Sequence, residues 1–190
     1  MATAVIGLVG LGIVLRSAFY LHPNFDQGFL LGKAEVWPWY RWGLLAHAVA
    51  APVALLVGLA QWRLPKSRAW HARLGKVYGL SVLAFAVPGA LVLLPEALGG
   101  LAGQVGFTLL ILAWALTTAL GWRRQGYPSH GRWMLRSYLL CCSAVLLRLL
   151  GFAAAKAGFP PTQITYAVLV WLSWLPGWLL LELIWWKRAR

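Results

Sequence analysis

The chain reads as an all-α, polytopic membrane protein, on three observations. Hydrophobic residues fill 61% of its 190 positions and charged residues only 11%, where a soluble domain carries about 25% charged residues. The mean hydropathy is +0.72. Apolar runs recur along the chain, each near the ~20 residues that cross a hydrocarbon core. Short segments between them collect charges, and many of the thirteen tryptophans lie near the ends of the runs, where their amphipathic rings favour the membrane–water interfaces. The whole chain, 1–190, is expected to form a single integral-membrane helical domain.

Six spans are expected, at about 2–21, 39–62, 70–94, 101–122, 133–155 and 164–186. The first is interrupted by Arg16, and no basic region or cleavage site marks it as a signal peptide. The second holds His47 and Pro52. In the third, Pro88 and Gly89 predict a kink. The fifth carries Cys141, Cys142 and Arg148. Adjacent cysteines are poorly placed to pair, so they read as small packing residues. The sixth holds Pro176 and Glu182, the latter expected to pair with one of the arginines near its end. Between the first two spans, Phe25, Phe29, Trp37 and Trp39 predict a loop lying on the membrane surface.

Net charge is +13, from 17 basic and four acidic residues. In a soluble protein this would suggest nucleic acid. Here the basic residues lie between apolar runs, so orientation and anionic lipid headgroups explain them, and no nucleic acid is expected. Segments 61–76 and 123–136 contain Arg63, Lys66, Arg68, Arg73, Lys76, Arg123, Arg124, Arg132 and Arg136 and no acid, and Lys187, Arg188 and Arg190 end the chain. Excess Lys and Arg mark the cytoplasmic side. Both termini are therefore expected there.

A weak internal repeat runs through spans two to five. Gln61-Trp62-Arg63 precedes a basic loop and His71-Ala72-Arg73, with Lys76 and Tyr78 beyond. Gly121-Trp122-Arg123 precedes a basic loop and His130-Gly131-Arg132, with Arg136 and Tyr138 beyond. The repeat predicts a four-helix core of spans two to five, with repeats related by an axis along the membrane normal. It places His71 and His130 at matching depths, where two histidines can supply the axial ligands of a b-type haem. Gly75, one turn beyond His71, would leave room for a macrocycle. Arg73, Arg132 and Arg136 could pair with propionates, and Tyr78 and Tyr138 could hydrogen-bond a ligand edge. The alternative is that both histidines belong to an interfacial basic belt.

His47 lies inside a span, and an ionisable residue there is a candidate functional group. It could line an outer pocket with Arg148 and Arg16, binding a lipid, a quinone or a small ligand, or bind a divalent metal with His22. Otherwise it is a neutral ring bonded to a backbone carbonyl or hydroxyl. Arg16 is expected to reach the headgroups, and Arg148, deeper in its run, to be buried. No phosphate loop, HExxH or CxxC is present, and one intramembrane carboxylate argues against an acidic proton relay.

Two stretches, WHARLGKVYGLSVL at 70–83 and SHGRWMLRSYLLCCSAVLLRL at 129–149, resemble the signatures of a family of predicted bacterial membrane proteins, the domain of unknown function 2306. That resemblance implies a multi-helix inner-membrane protein and no particular activity. A looser likeness, to haem bundles of the cytochrome b561 and ferric-reductase type, implies a haem between histidines on alternate helices. His71 and His130 fit one such pair, and a second pair lacks its histidine on the fourth span. The leading expectation is a small b-type haem protein of electron transfer with a redox or quinone partner. The rival is a cofactor-free ligand-binding bundle or an accessory subunit. Enzymatic activity and homo-oligomerisation stay open.

Overall fold

The computed structural model describes residues 8, 11, 12, 15, 23–26, 30–63 and 68–188. The first expected span falls almost wholly outside the described residues, as do Arg16, His22 and Phe29. Among the described residues there are helices and no strand. Five helical stretches there are long and apolar enough to cross a membrane: Trp37–Arg63, Ala69–Glu96, Gly100–Arg123, His130–Lys156 and Gln163–Arg188. They coincide with the second to sixth expected spans.

Backbone contacts divide the chain into two compact units, one up to Leu93 and one from Leu94. In the first, α1 (Trp37–Arg63) packs along α2 (Arg68–Leu80), a π-helical turn (Ser81–Ala86) and α3 (Val87–Leu93). In the second, α4 (Gly100–Arg123) packs on α5 (His130–Lys156) and on α6 (Gln163–Leu172), and α7 (Leu175–Arg188) touches α5.

Large apolar side chains face outward as well as inward, and small or hydroxyl side chains share the core. Leu101, Leu112, Leu116, Phe152, Leu179 and Leu180 point outward, while Ala54, Gly58, Gly103, Gly106, Thr117, Thr118, Ser137 and Ser143 are buried. Lipid tails are as apolar as leucine, so large side chains gain little by turning inward. Small and hydroxyl side chains instead let helices approach closely. Thr118 and Ser137 join α4 to α5 through a buried hydroxyl pair at 2.6 Å. Trp39, Trp62, Trp70 and Trp186 are exposed near span ends, as interfacial anchors should be.

The loop before α1 packs on that helix: Phe25 and Trp37 meet edge to face at 5.3 Å and pack on Leu30, Tyr40 and Leu44. Lys33 is buried there, its ammonium 5.3 Å from the Tyr40 ring centre. The last span is broken at Ser173–Trp174. Pro176 has no N–H to offer the Leu172 carbonyl, so α6 ends there, and proline takes the second position of α7, where an N–H is dispensable.

In the third span a π turn lies just before Pro88. Val87 donates to the Val82 carbonyl five residues back. Proline clashes with the carbonyl four residues before it and offers it no donor; one inserted residue in the ladder accommodates both.

Candidate functional site

In the first unit, the side chain that the sequence marks most strongly, His47, is seated by glycine. A Cβ on Gly89 would lie 2.7 Å from the Gly43 carbonyl oxygen and 2.8 Å from the His47 nitrogen. Only glycine allows α1 and α3 to come so close. That approach carries the half-buried His47 to the end of the π turn, where Nδ1 donates to the Ala86 carbonyl at 2.8 Å. A carbonyl only accepts, so Nδ1 bears the proton and Nε2 is the basic nitrogen of the neutral ring. Of the arrangements expected for His47, the bond to a backbone carbonyl is present.

Lower in this unit, the Gln61 amide donates to the His71 backbone carbonyl at 3.0 Å. The same amide lies 3.3 Å from where a Gly75 Cβ would be. Gly75 thus faces the Gln61 amide. Tyr78 is fully buried, and Arg73 is exposed, 5.6 Å over the Trp70 ring.

The second unit solves the same contact in reverse. Gly121 occupies the position of Gln61, and Met134 that of Gly75; the Met134 sulfur fills the space a Gly121 Cβ would need. His130 begins α5, and its Nδ1 donates to the Gly121 carbonyl at 2.8 Å, which again makes Nε2 the basic nitrogen. Counting seven residues on from each histidine pairs Tyr78 with Ser137, and both are fully buried. Tyr138, expected to match Tyr78, is one position round the helix and half-buried.

Arg132 is exposed. Arg136 is engaged: its Nε and Nη2 donate to the two Glu182 oxygens at 2.6 and 2.7 Å. The guanidinium sits 4.7 Å from the Trp133 ring centre and 4.4 Å from that of Trp185. The pairing expected for Glu182 is present, and it occupies the fork that a propionate would use. A bidentate pair between two rings is strong because its geometry is fixed before binding.

Arg148 departs from expectation. It is exposed on α5, and its Nη1 donates to the Ala144 carbonyl one turn back at 2.9 Å. The other two members of the outer groupings, Arg16 and His22, lie outside the described residues. Among the described residues no three His, Cys, Asp or Glu side chains gather as a metal site. Cys141 and Cys142 are free thiols, the first buried, as packing residues would be.

His47, His71, Arg73 and Tyr78 thus belong to the first unit, and His130, Arg132, Arg136, Tyr138 and Arg148 to the second. Sequence reasoning missed the Gln61 amide and the Thr118–Ser137 pair, both polar groups inside apolar runs and so legible in principle. It also missed Trp174, whose indole N–H is the one buried side-chain polar atom without a hydrogen-bond partner among the described residues.

A family model described as "Predicted membrane protein (DUF2306)" matches residues 44–185. No curated protein matches, and no solved structure matches.

Proposed function

The chain belongs to the predicted membrane protein family DUF2306, and we propose that it is a small b-type haem protein of electron transfer in the bacterial inner membrane. The observation that carries this reading is the seating of His130. A histidine that ligates iron commonly fixes its ring by donating the other N–H to a backbone carbonyl, and the Gly121 carbonyl accepts from Nδ1 at 2.8 Å. Nε2 is then the nitrogen for the iron. Haem would supply one-electron chemistry; the chain would hold it, orient His130 and exclude water. Arg132 and Arg124, at this end of the unit, are the cations for propionates, since Arg136 is held by Glu182.

We read the topology as six spans with both termini cytoplasmic. The described helices support this: α1 ends at Arg63, α4 at Arg123 and α7 at Lys187 and Arg188, which alternation of spans puts on one side.

Absorbance of the protein purified after expression with ample haem tests the reading. A Soret band that is lost or shifted in His130→Ala is expected, and His71→Ala and His47→Ala identify any second ligand. A protein without a Soret band would end the proposal.

A second reading rests on His47. With Nδ1 given to Ala86, Nε2 can accept the hydroxyl of a quinol or similar small ligand within the span, in a protein without a cofactor. Native mass spectrometry should then find a bound ligand that His47→Ala loses. Retention in that variant would remove this reading.

A further inference from the structure

Arg148 lies eight residues from Lys156, the end of α5, which places its Cα about 12 Å inside that end. An arginine at this depth is unfavourable in hydrocarbon unless an anion or water meets it. Here the guanidinium does not reach for the headgroups. It folds back along its own helix to the Ala144 carbonyl, is exposed, and makes no other hydrogen bond to the described residues. One of its five N–H donors is used. The chain has four carboxylates. Within the second unit, Glu182 is held by Arg136, and no ion pair joins Glu96 to Arg148 among the described residues.

The surroundings are those of a helix–helix contact. Ala144, Arg148, Gly151 and Ala155 recur at helical spacing and share one face of α5. A Cβ on Gly151 would meet nothing within 4 Å. Small residues on such a face allow another backbone to come close, which is what drives association in a bilayer. Leu149 and Phe152 flank the face and are exposed.

We propose that this face of α5 docks a membrane-spanning helix of another protein, one that presents an aspartate or glutamate to Arg148 within the bilayer. Charge complementarity selects the occupant. A lipid phosphate stays at the interface, whereas a carboxylate on a helix can be set at any depth. Glu182, the one carboxylate that α4–α7 carry, is held by Arg136, so the carboxylate is taken from a different chain.

The test uses the full chain in neutral phosphatidylcholine vesicles, with a synthetic polyleucine helix as the probe. One version carries a single Asp at the depth of Arg148, another Leu at that position, and association is read by energy transfer between labels. The Asp helix should bind the wild type about tenfold or more tightly than the Leu helix, in line with polar contacts of model peptides in membranes. Arg148→Leu should abolish the preference, Arg148→Lys should keep it, and Arg148→Glu should transfer it to a Lys-bearing helix. Gly151→Ile, which keeps the charge, should weaken binding by blocking approach. Equal binding of the Asp and Leu helices overturns the proposal, as does loss of the preference in Arg148→Lys. Two further results would also overturn it. One is a phospholipid retained in native mass spectrometry by the wild type and lost in Arg148→Leu, with no Asp preference. The other is an Arg148-dependent homodimer that excludes the Asp helix.

Discussion

Replacing Gly89 by alanine sets two effects against each other. In an exposed helix this change gains about 1 kcal/mol, because glycine loses more backbone freedom on folding. At Gly89 the added Cβ would stand 2.7 Å from the Gly43 oxygen and 2.8 Å from the His47 nitrogen, where ordinary contact begins at 3.4 Å. Both obstacles are backbone atoms of α1 and cannot rotate aside, so the helices must part by about 0.7 Å. Overpacking of this kind costs about 1–3 kcal/mol. The same displacement would lengthen the 2.8 Å bond from His47 to Ala86 to the limit of hydrogen bonding, a further loss of about 1 kcal/mol. A net destabilisation of about 1–3 kcal/mol results. Gly151→Ala is the control, since open space surrounds that position; it should be neutral or stabilising by up to about 1 kcal/mol. The assay is unfolding of both variants in mild detergent, titrated with a denaturing detergent and followed by helical circular dichroism. If Gly89→Ala is as stable as Gly151→Ala, the close approach that seats His47 is wrong.

Three other outcomes are expected. Glu182→Gln removes the countercharge of Arg136 and should cost about 1–2 kcal/mol, below the figure for a fully buried pair because Glu182 is partly exposed; replacing both residues by methionine should recover most of that loss in the same unfolding assay. Gly75→Met alone should destabilise the first unit, and adding Gln61→Gly, which copies the Gly121–Met134 arrangement, should restore stability in a double-mutant cycle. A cycle that shows no coupling would mean that the two hairpins do not share one contact plan. Trp174→Phe removes a buried N–H that has no partner among the described residues and should leave the thermal midpoint unchanged or raised, whereas tryptophan to phenylalanine at a paired site lowers it.

How much could be read from the chain varies by residue. The five described spans follow from hydropathy and length, because a bilayer demands ~20 apolar residues per crossing. The break of the last one was implicit in Pro176, whose missing N–H is a local fact. The Glu182 pairing was legible because a lone intramembrane carboxylate among arginines must find one. Which arginine it takes was not, since Arg132 and Arg136 lie one turn apart on the same face of α5. The repeat was visible in its tryptophans and histidines, yet the one-residue slip that pairs Tyr78 with Ser137 needed burial to reveal it. Gly75 is alike in this respect: a glycine announces that something comes close, and the structure places the Gln61 amide beside it.

The sequence by itself determined the solvent of this protein, its helical class and the placing of its basic residues, because these depend on composition and on periods along the chain. Tertiary structure alone decided what each polar side chain meets. Seating His47 on Ala86, bringing Arg136 to Glu182 and leaving Arg148 on the surface of α5 all depend on how helices rotate about their axes and how closely they pack. Small residues far apart in the chain set both quantities jointly, and no local pattern encodes them.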